Sequence, residues 1–190
     1  MSMIKIPQNR FEFRQHQLRK ELARKDIKHF AVFNPIHIYY LTGFVHLPTE
    51  RPLALIIQET DISFFVPELE RLHVQEDVPS VAHISTYFDY PGSKHPMKLL
   101  ATFLKDELRI TGHLGAEAPG SPSRWGYEGP KLEKVLGFPV KVMPSLITNM
   151  RIIKDEDELR CIRQSAMWAN LAHQILQEKT VAGANEVEVS

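Results

Sequence analysis

Short apolar segments alternate with helical segments from residue 9 to residue 149 of this 190-residue chain. A run such as Ala31-Val32-Phe33 is typical of a buried strand. Two further apolar segments, 52–58 and 62–66, are separated by three residues, which is the length of a hairpin turn. This alternation predicts an α/β sandwich with a mixed central sheet. The predicted strands are 27–33, 52–58, 62–66, 81–86, 113–117 and 138–143, and the predicted helices are 9–25, 36–42, 67–76, 95–108, 123–136 and 144–149.

A long helix with its own start signal follows this region. Asp155 and Glu158 have the spacing of a capping box, and acidic residues fill the first turn, where the helix dipole favours negative charge. Residues at three- and four-residue spacing then form one face of an amphipathic helix over 155–179. Trp168 lies off this face, which indicates that the helix packs on more than one side. The face consists of Leu159, Ile162, Ala166, Ala169, His173 and Leu176.

A second helix start appears close to the last residue. Gly183 interrupts the helical pattern, and Asn185 with Glu188 has the spacing of another N-cap signature. Because a helix needs roughly a dozen residues to be stable, the sequence predicts a part of a longer protein. We expect residues 1–150 to form one domain and residues 151–190 to begin the next.

Composition indicates a soluble globular protein in a reducing compartment, and we expect a cytoplasmic location. The 23 basic and 23 acidic residues balance, so no overall charge favours nucleic acid or an anionic membrane as a partner. No apolar run approaches the roughly 18 residues of a membrane span, and no secretory signal opens the chain. The single cysteine, Cys161, excludes an internal disulfide and has no histidine beside it in sequence that would make it a nucleophile.

Local motifs predict neither a catalytic residue nor a metal ligand. None of the nine histidines has metal-ligand spacing with another, and phosphate-binding glycine loops and the G-x-S-x-G motif are absent from the sequence. The acidic run 155–158 is better explained as a helix cap than as a cation site. Trp125 and Tyr127 are a candidate partner surface, with ordinary packing as the alternative.

The loop after Gly43 holds the only residues that we single out as ligand-facing candidates: Phe44, His46 and Arg51. Gly43 is a natural end for the helix 36–42, and binding residues often collect in such a loop. A bare loop favours the alternative that these residues do not face a ligand. In that alternative Phe44 packs on the sheet, His46 is solvated and Arg51 pairs with Glu50 or another carboxylate.

Four segments spread along the chain together resemble the motifs of one known domain family. Residues 34–44, NPIHIYYLTGF, resemble its P-x-N-I-x-Y-L-T-G-F segment, with His37 where the family usually has Asn. Gly115-Ala116-Glu117 is similar to the strand end iGvE of that family. Residues 150–159 and 180–189 are similar to the junction and the helix start that follow the domain, with Asn185 in place of Thr or Ser. These segments occur in the order that they have in the creatinase/prolidase N-terminal domain, which this chain resembles.

The resemblance implies a three-layer, ribonuclease H-like N-terminal domain of a peptidase family M24 protein, such as an Xaa-Pro dipeptidase or aminopeptidase P. In that family a second, "pita-bread" domain binds two divalent metals, Mn²⁺, Co²⁺ or Zn²⁺, through two Asp, one His and two Glu. Those ligands lie beyond the segment 185–189, so no metal ligand or catalytic residue is carried over to this chain. The helix 155–179 would be the first helix of the catalytic domain.

The resemblance also implies partners. In the family this domain shapes the substrate entrance and builds the dimer, so we expect at least one of Phe44, His46 and Arg51 to face a proline-containing peptide in the full-length protein. We also expect the helix 155–179 to bury its apolar face against a second copy, giving a homodimer. Two alternatives stay open: a non-peptidase parent, such as a creatinase-like hydrolase or a lyase, and a stand-alone binding module.

Overall fold

A computed structural model describes residues 4–49, 51–88, 94–120 and 129–189, and it confirms the predicted α/β class and the long helix near the end. The strands are β1 (His29–Val32), β2 (Ala54–Ile57), β3 (Ile62–Pro67), β4 (His83–Tyr87), β5 (Leu114–Ala116) and β6 (Lys141–Val142). The helices are α1 (Gln8–Ala23), α2 (Pro35–Thr42), α3 (Arg71–Asp77), α4 (Pro96–Thr102), α5 (Leu132–Leu136), α6 (Leu146–Ile152), α7 (Glu156–Lys179) and α8 (Glu186–Val189).

The six strands form one mixed sheet in the order β4-β3-β2-β1-β5-β6. The pairs β1–β2 and β2–β3 are antiparallel, as the hairpin predicts, whereas β3–β4, β1–β5 and β5–β6 are parallel. In the β1–β5 pair Ala31 lies opposite Ala116. Phe33 and Glu117 directly follow these two strands. They therefore lie side by side at the carboxyl ends of β1 and β5.

Each face of the sheet carries its own apolar core, which makes the architecture three layers. Neighbouring residues of a strand point to opposite faces, so Leu55 belongs to one core and Ile56 to the other. The first core receives α1, α2, α3 and α6, and the second receives α4 and α5. Representative buried helix residues of the first core are Leu18, Ile38, Val74 and Ile147, and those of the second are Met97, Leu100, Leu132 and Leu136.

Several predicted elements differ from the structure, and the helix predicted over 67–76 is one turn of 3₁₀-helix at Glu68–Glu70 followed by α3. The helix predicted over 95–108 is α4 followed by one turn of π-helix at Phe103–Glu107, and this arrangement buries the adjacent Phe103 and Leu104 completely. The strand predicted over 138–143 is reduced to β6, whose two residues pair with Gly115 and Ala116 of β5. The helix predicted over 123–136 appears only as α5, and residues 121–128, with Trp125 and Tyr127, lie outside the described residues.

The chain divides into two compact units, Gln8–Ile152 and Met1–Pro7 with Ile153–Ser190. In the second unit, the predicted capping box is present: Glu158 N donates to Asp155 Oδ1 at 2.8 Å, and Asp155 N donates to Glu158 Oε2 at 2.9 Å. Ile4 N donates to Gln164 Oε1 at 3.1 Å, which holds the start of the chain against α7. No residue of α7 is buried.

Candidate functional site

The loop that carries the ligand-facing candidates begins at a well-defined helix end. Asn34 caps α2 by accepting a hydrogen bond from Ile36 N at 3.0 Å. Gly43 ends α2 in the left-handed region, with φ of 81°, and its N–H donates to Tyr39 O at 2.8 Å. A Cβ atom at position 43 would lie 2.9 Å from the ring of Phe11. Only glycine fits here without strain, so the direction in which the loop leaves the helix is set.

Two buried polar side chains of α1 hold the last turn of α2 in place. Gln15 Nε2 donates to Leu41 O at 2.9 Å, and Arg14 Nη1 donates to Tyr40 O at 3.0 Å. The guanidinium of Arg14 also lies 4.3 Å from the centre of the Tyr40 ring. These bonds satisfy carbonyl groups that a helix end leaves without partners. The loop therefore starts from a rigid support.

Phe44 is fully buried and packs on the sheet, as the packing alternative of the sequence predicts. Its ring meets Phe64 of β3 edge-on at 5.5 Å and His73 of α3 edge-on at 4.8 Å. The imidazole of His46 stacks on Phe44, with ring centres 5.4 Å apart and planes 16° from parallel. Phe44 thus supports His46 from the core side.

His46 and Arg51 line an open groove of about 240 Å³ beside this aromatic cluster. We call it the loop groove. Its other lining residues are mostly apolar or proline, with Thr49 and the carboxylate of Glu70: Phe33, Pro35, Leu47, Pro48, Leu53, Pro67 and Leu69. The structure therefore brings two of the three candidates together, and whether either meets a substrate stays a prediction.

The imidazole of His46 is half-buried, and this burial has an electrostatic consequence. Burial lowers the pKa of His46, and the nearby charge of His73 lowers it further, whereas the carboxylate of Glu70 acts in the opposite direction. The neutral ring is thus the favoured form near pH 7. Within the described residues its buried Nδ1 atom has no hydrogen-bond partner.

The imidazole of His73 lies between two carboxylates, that of Glu70 just before α3 and that of Asp77 at the end of α3. Its Nδ1 lies 2.9 Å from Glu70 Oε2, and its Nε2 lies 3.1 Å from Asp77 Oδ2. Both nitrogen atoms of the ring therefore face a carboxylate oxygen. These contacts keep the ring of His73 against Phe44.

Two larger concave regions lie away from the loop groove. One, of about 560 Å³, is lined by Lys98, Lys105 and Lys134 of the α4–α5 side. The other, of about 440 Å³, is lined by residues of α1 and of the turn after β2, including Arg19 and Glu59. Both are open and their charges are mixed, so their size alone does not indicate a site.

A buried carboxylate–imidazole pair is the feature that the sequence reasoning missed. Glu117 Oε1 accepts hydrogen bonds from Phe33 N, at 2.6 Å, and from Asn34 N. Glu117 Oε2 lies 2.5 Å from Nδ1 of His37. Both side chains are buried. The signal that could have found it is the parallel pairing of β1 with β5, since Asn34 and Glu117 follow these two strands.

Among the described residues, no group of three or more His, Cys, Asp and Glu side chains is arranged to hold a metal ion. Nor does any helix in those parts of the chain have the length and hydropathy that crossing a membrane requires.

Comparisons with known protein sequences and structures agree on one family. A sequence model of the creatinase/prolidase N-terminal domain matches residues 14–153. YkvY of Bacillus subtilis (strain 168), which bears a provisional name as a dipeptidase, is 29% identical over 171 residues, covering 87% of this chain and 45% of YkvY. The chain thus spans less than half the length of the curated relatives it matches.

Solved structures show the same fold. The prolidase from Thermococcus sibiricus matches with a TM-score of 0.72 at 22% identity, covering 97% of this chain and 48% of that protein. The N-terminal domain of the Xaa-Pro dipeptidase from Lactobacillus brevis matches with a TM-score of 0.54 at 24% identity, covering 72% of this chain and 98% of that domain.

Proposed function

We propose, since the chain belongs to the creatinase/prolidase N-terminal domain family, that it is the substrate-gating and oligomerising domain of an M24-type metallohydrolase. The parent would be an Xaa-Pro dipeptidase or aminopeptidase of the cytoplasm. The family match over residues 14–153 is the observation that carries this proposal. The dipeptidase and prolidase names of its relatives support the parent's activity.

The chemistry of the loop groove supports contact with a peptide. Arg51 brings a guanidinium, a group that binds carboxylates through two parallel hydrogen bonds. The half-buried ring of His46 lines the same groove, and burial favours its neutral form by lowering its pKa. Pro48 and Leu69 provide apolar surface against which a proline ring could pack. These features support the binding of a short peptide that ends in proline and a free carboxylate.

The surface of α7 supports the second part of the proposal, assembly. Trp168, Leu171 and Ile175 form an apolar stripe beside the stripe that Ile162, Ala169 and Leu176 form. The large members of both stripes are 44–51% exposed. A helix that is apolar over about half of its circumference is stabilised by burial on a partner. We infer that this surface contacts the catalytic body in the parent and a second copy of the chain when that body is missing.

The two divalent metal ions, Mn²⁺, Co²⁺ or Zn²⁺, would be supplied by the parent's catalytic domain. They would activate the water that attacks the bond before proline. The described residues provide no donor set for them, so no step of that chemistry is assigned to this chain.

Two measurements test the proposal on the chain itself. We expect no hydrolysis of Gly-Pro or of longer Xaa-Pro peptides in the presence of Mn²⁺ or Co²⁺, and metal-dependent turnover would contradict the non-catalytic role. We also expect Gly-Pro, added up to roughly 10 mM to a ¹⁵N-labelled sample, to shift amide signals of residues 46–53 in a weak-binding regime.

Matched variants and ligands make the titration specific. Arg51→Ala is expected to abolish the shifts, whereas His113→Ala, an exposed histidine outside the groove, should leave them unchanged. Gly-Ala should bind more weakly than Gly-Pro because it lacks the proline ring. Shifts produced by creatine but not by Gly-Pro would favour a creatinase-like parent, and shifts confined to other surfaces would refute the gating role of the groove.

A further inference from the structure

The buried Glu117–His37 pair ends at a hydroxyl group on the protein surface. Thr148 Oγ1 of α6 lies 3.4 Å from Nε2 of His37, on the side of the ring opposite Glu117. Thr148 itself is exposed, whereas His37 and Glu117 are buried. The three side chains therefore stand in the order carboxylate, imidazole and hydroxyl, from the interior to solvent.

The surroundings of Glu117 determine which nitrogen of His37 carries a hydrogen. Phe33 N and Asn34 N can only donate, and both donate to Oε1, so this carboxyl group acts as an acceptor. When Glu117 is ionised, Oε2 can only accept, so the 2.5 Å contact is made by the hydrogen of His37 Nδ1. In the neutral imidazole Nε2 is then left with its lone pair facing Thr148. A nitrogen in this state can accept the hydroxyl proton.

The position of α6 relative to α2 is held by further contacts. Tyr40 OH donates to Met150 O at 3.3 Å, and Ile147 is buried in the same core as Ile38 and Leu41 of α2. The distance between His37 and Thr148 is therefore maintained by packing on both sides. The distance of 3.4 Å is slightly longer than the roughly 2.6–3.2 Å of a working general base, and such contacts often tighten only when substrate is bound.

We propose that Thr148 is a base-activated nucleophile that accepts acyl groups from activated esters, independently of the parent's peptidase chemistry. Thr148 Oγ1 attacks the ester carbonyl carbon while its proton passes to Nε2 of His37. The bond to the leaving group breaks, and the leaving group departs with the electron pair as an alkoxide or phenolate. The product is O-acyl-Thr148, and the imidazolium, stabilised by Glu117, then returns its proton to solvent.

The sequence contains a natural comparison for this site. Thr102 is also an exposed threonine on a helix, but its hydroxyl donates to the backbone carbonyl of Lys98 at 3.2 Å, and no imidazole is hydrogen-bonded to it. Both residues meet the same reagent in one sample, so any difference between them reports activation rather than exposure.

The test uses p-nitrophenyl acetate on the 190-residue chain, with acetylated residues located by peptide mass spectrometry. O-acetyl groups are distinguished from acetylated lysines by their removal with hydroxylamine. We expect Thr148 to be acetylated at least about tenfold faster than Thr102, a threshold set below the roughly 100-fold low end of general-base contributions. Equal labelling of the two threonines, or none at Thr148, overturns the proposal.

Three variants separate activation from simple reactivity. Thr148→Ala should remove the label, and Thr148→Ser should retain it at the same position. His37→Asn keeps an N–H group that can reach Glu117 but removes the base, so it should reduce labelling at Thr148 by about tenfold or more while the circular dichroism spectrum is preserved. Unchanged labelling in folded His37→Asn refutes the role of the imidazole.

Discussion

Nδ1 of His37 lies 2.5 Å from Oε2 of Glu117, although 80 residues separate the two in sequence. The same carboxylate binds the backbone at Phe33 and Asn34, where β1 ends and α2 is about to begin. Glu117 thus joins the ends of two parallel strands to the helix that precedes the loop groove. The buried pair is part of the support of the candidate site as well as of the fold.

Replacing Glu117 by alanine is expected to destabilise the chain by about 3 kcal/mol or more. The change leaves the buried imidazole of His37 without its carboxylate and removes the acceptor of two backbone N–H groups. Urea denaturation followed by circular dichroism measures the free energy of unfolding. As a control, Glu107→Ala removes an exposed carboxylate paired with His83 and should cost less than about 1 kcal/mol. Equal losses for the two variants would contradict a special role for Glu117.

Gly43→Ala is expected to destabilise the first unit by at least about 1 kcal/mol. Alanine is strained at a φ of 81°, and its Cβ would lie 2.9 Å from the Phe11 ring. Thermal and urea unfolding both report the change. Gly112→Ala is the matched control, because no atom lies within 4 Å of a Cβ built there and its φ is not in the left-handed region. A Gly43→Ala protein as stable as the Gly112→Ala protein would show that the α2 end can be rebuilt.

The free energy of unfolding is expected to decrease as the pH is lowered through the range in which His46 titrates. Burial lowers the pKa of His46 in the folded chain, so the unfolded chain binds more protons below the ordinary value of about 6.5. Stability from this group is therefore complete above about pH 6.5 and decreases as the pH falls. His46→Gln should flatten the curve measured by urea denaturation between about pH 7.5 and 5.5.

Part of the pH dependence should remain in that variant. Burial also lowers the pKa of His29, partly offset by Glu59, so the same direction of change is expected from a second group. Identical curves for the wild-type chain and His46→Gln would show that burial of His46 does not contribute.

The exposed side of α7 is expected to produce concentration-dependent dimers of the chain. Trp168→Glu and Ile175→Glu each place a charge on the apolar surface and should shift the equilibrium toward monomer. Gln174→Glu, on the polar side of the same helix, introduces the same charge and should leave dimerisation nearly unchanged. Sedimentation velocity over a range of concentrations gives the association constant. A monomer at all concentrations would refute self-association through α7.

Local sequence patterns predicted the elements that depend on neighbours in the chain. Capping of α7 by Asp155 and Glu158, termination of α2 at Gly43 and the β2–β3 hairpin need only residues that lie a few positions apart. The alternation of strands and helices likewise predicted the mixed α/β sheet. The loop after Gly43 was also identified from its local position, and two of its three candidates line the loop groove.

Contacts between distant residues were decided by the tertiary structure. The pairing of β1 with β5 brings His37 to Glu117, and packing of α6 on α2 brings Thr148 to the same imidazole. The edge-on contact of His73 with Phe44 likewise depends on α3 reaching the first core. Periodicity and capping are short-range properties of a helix or strand, so the sequence alone determined which elements form. Which side chains share a buried site depends on strand order and packing, and these are set only when the whole sheet is assembled.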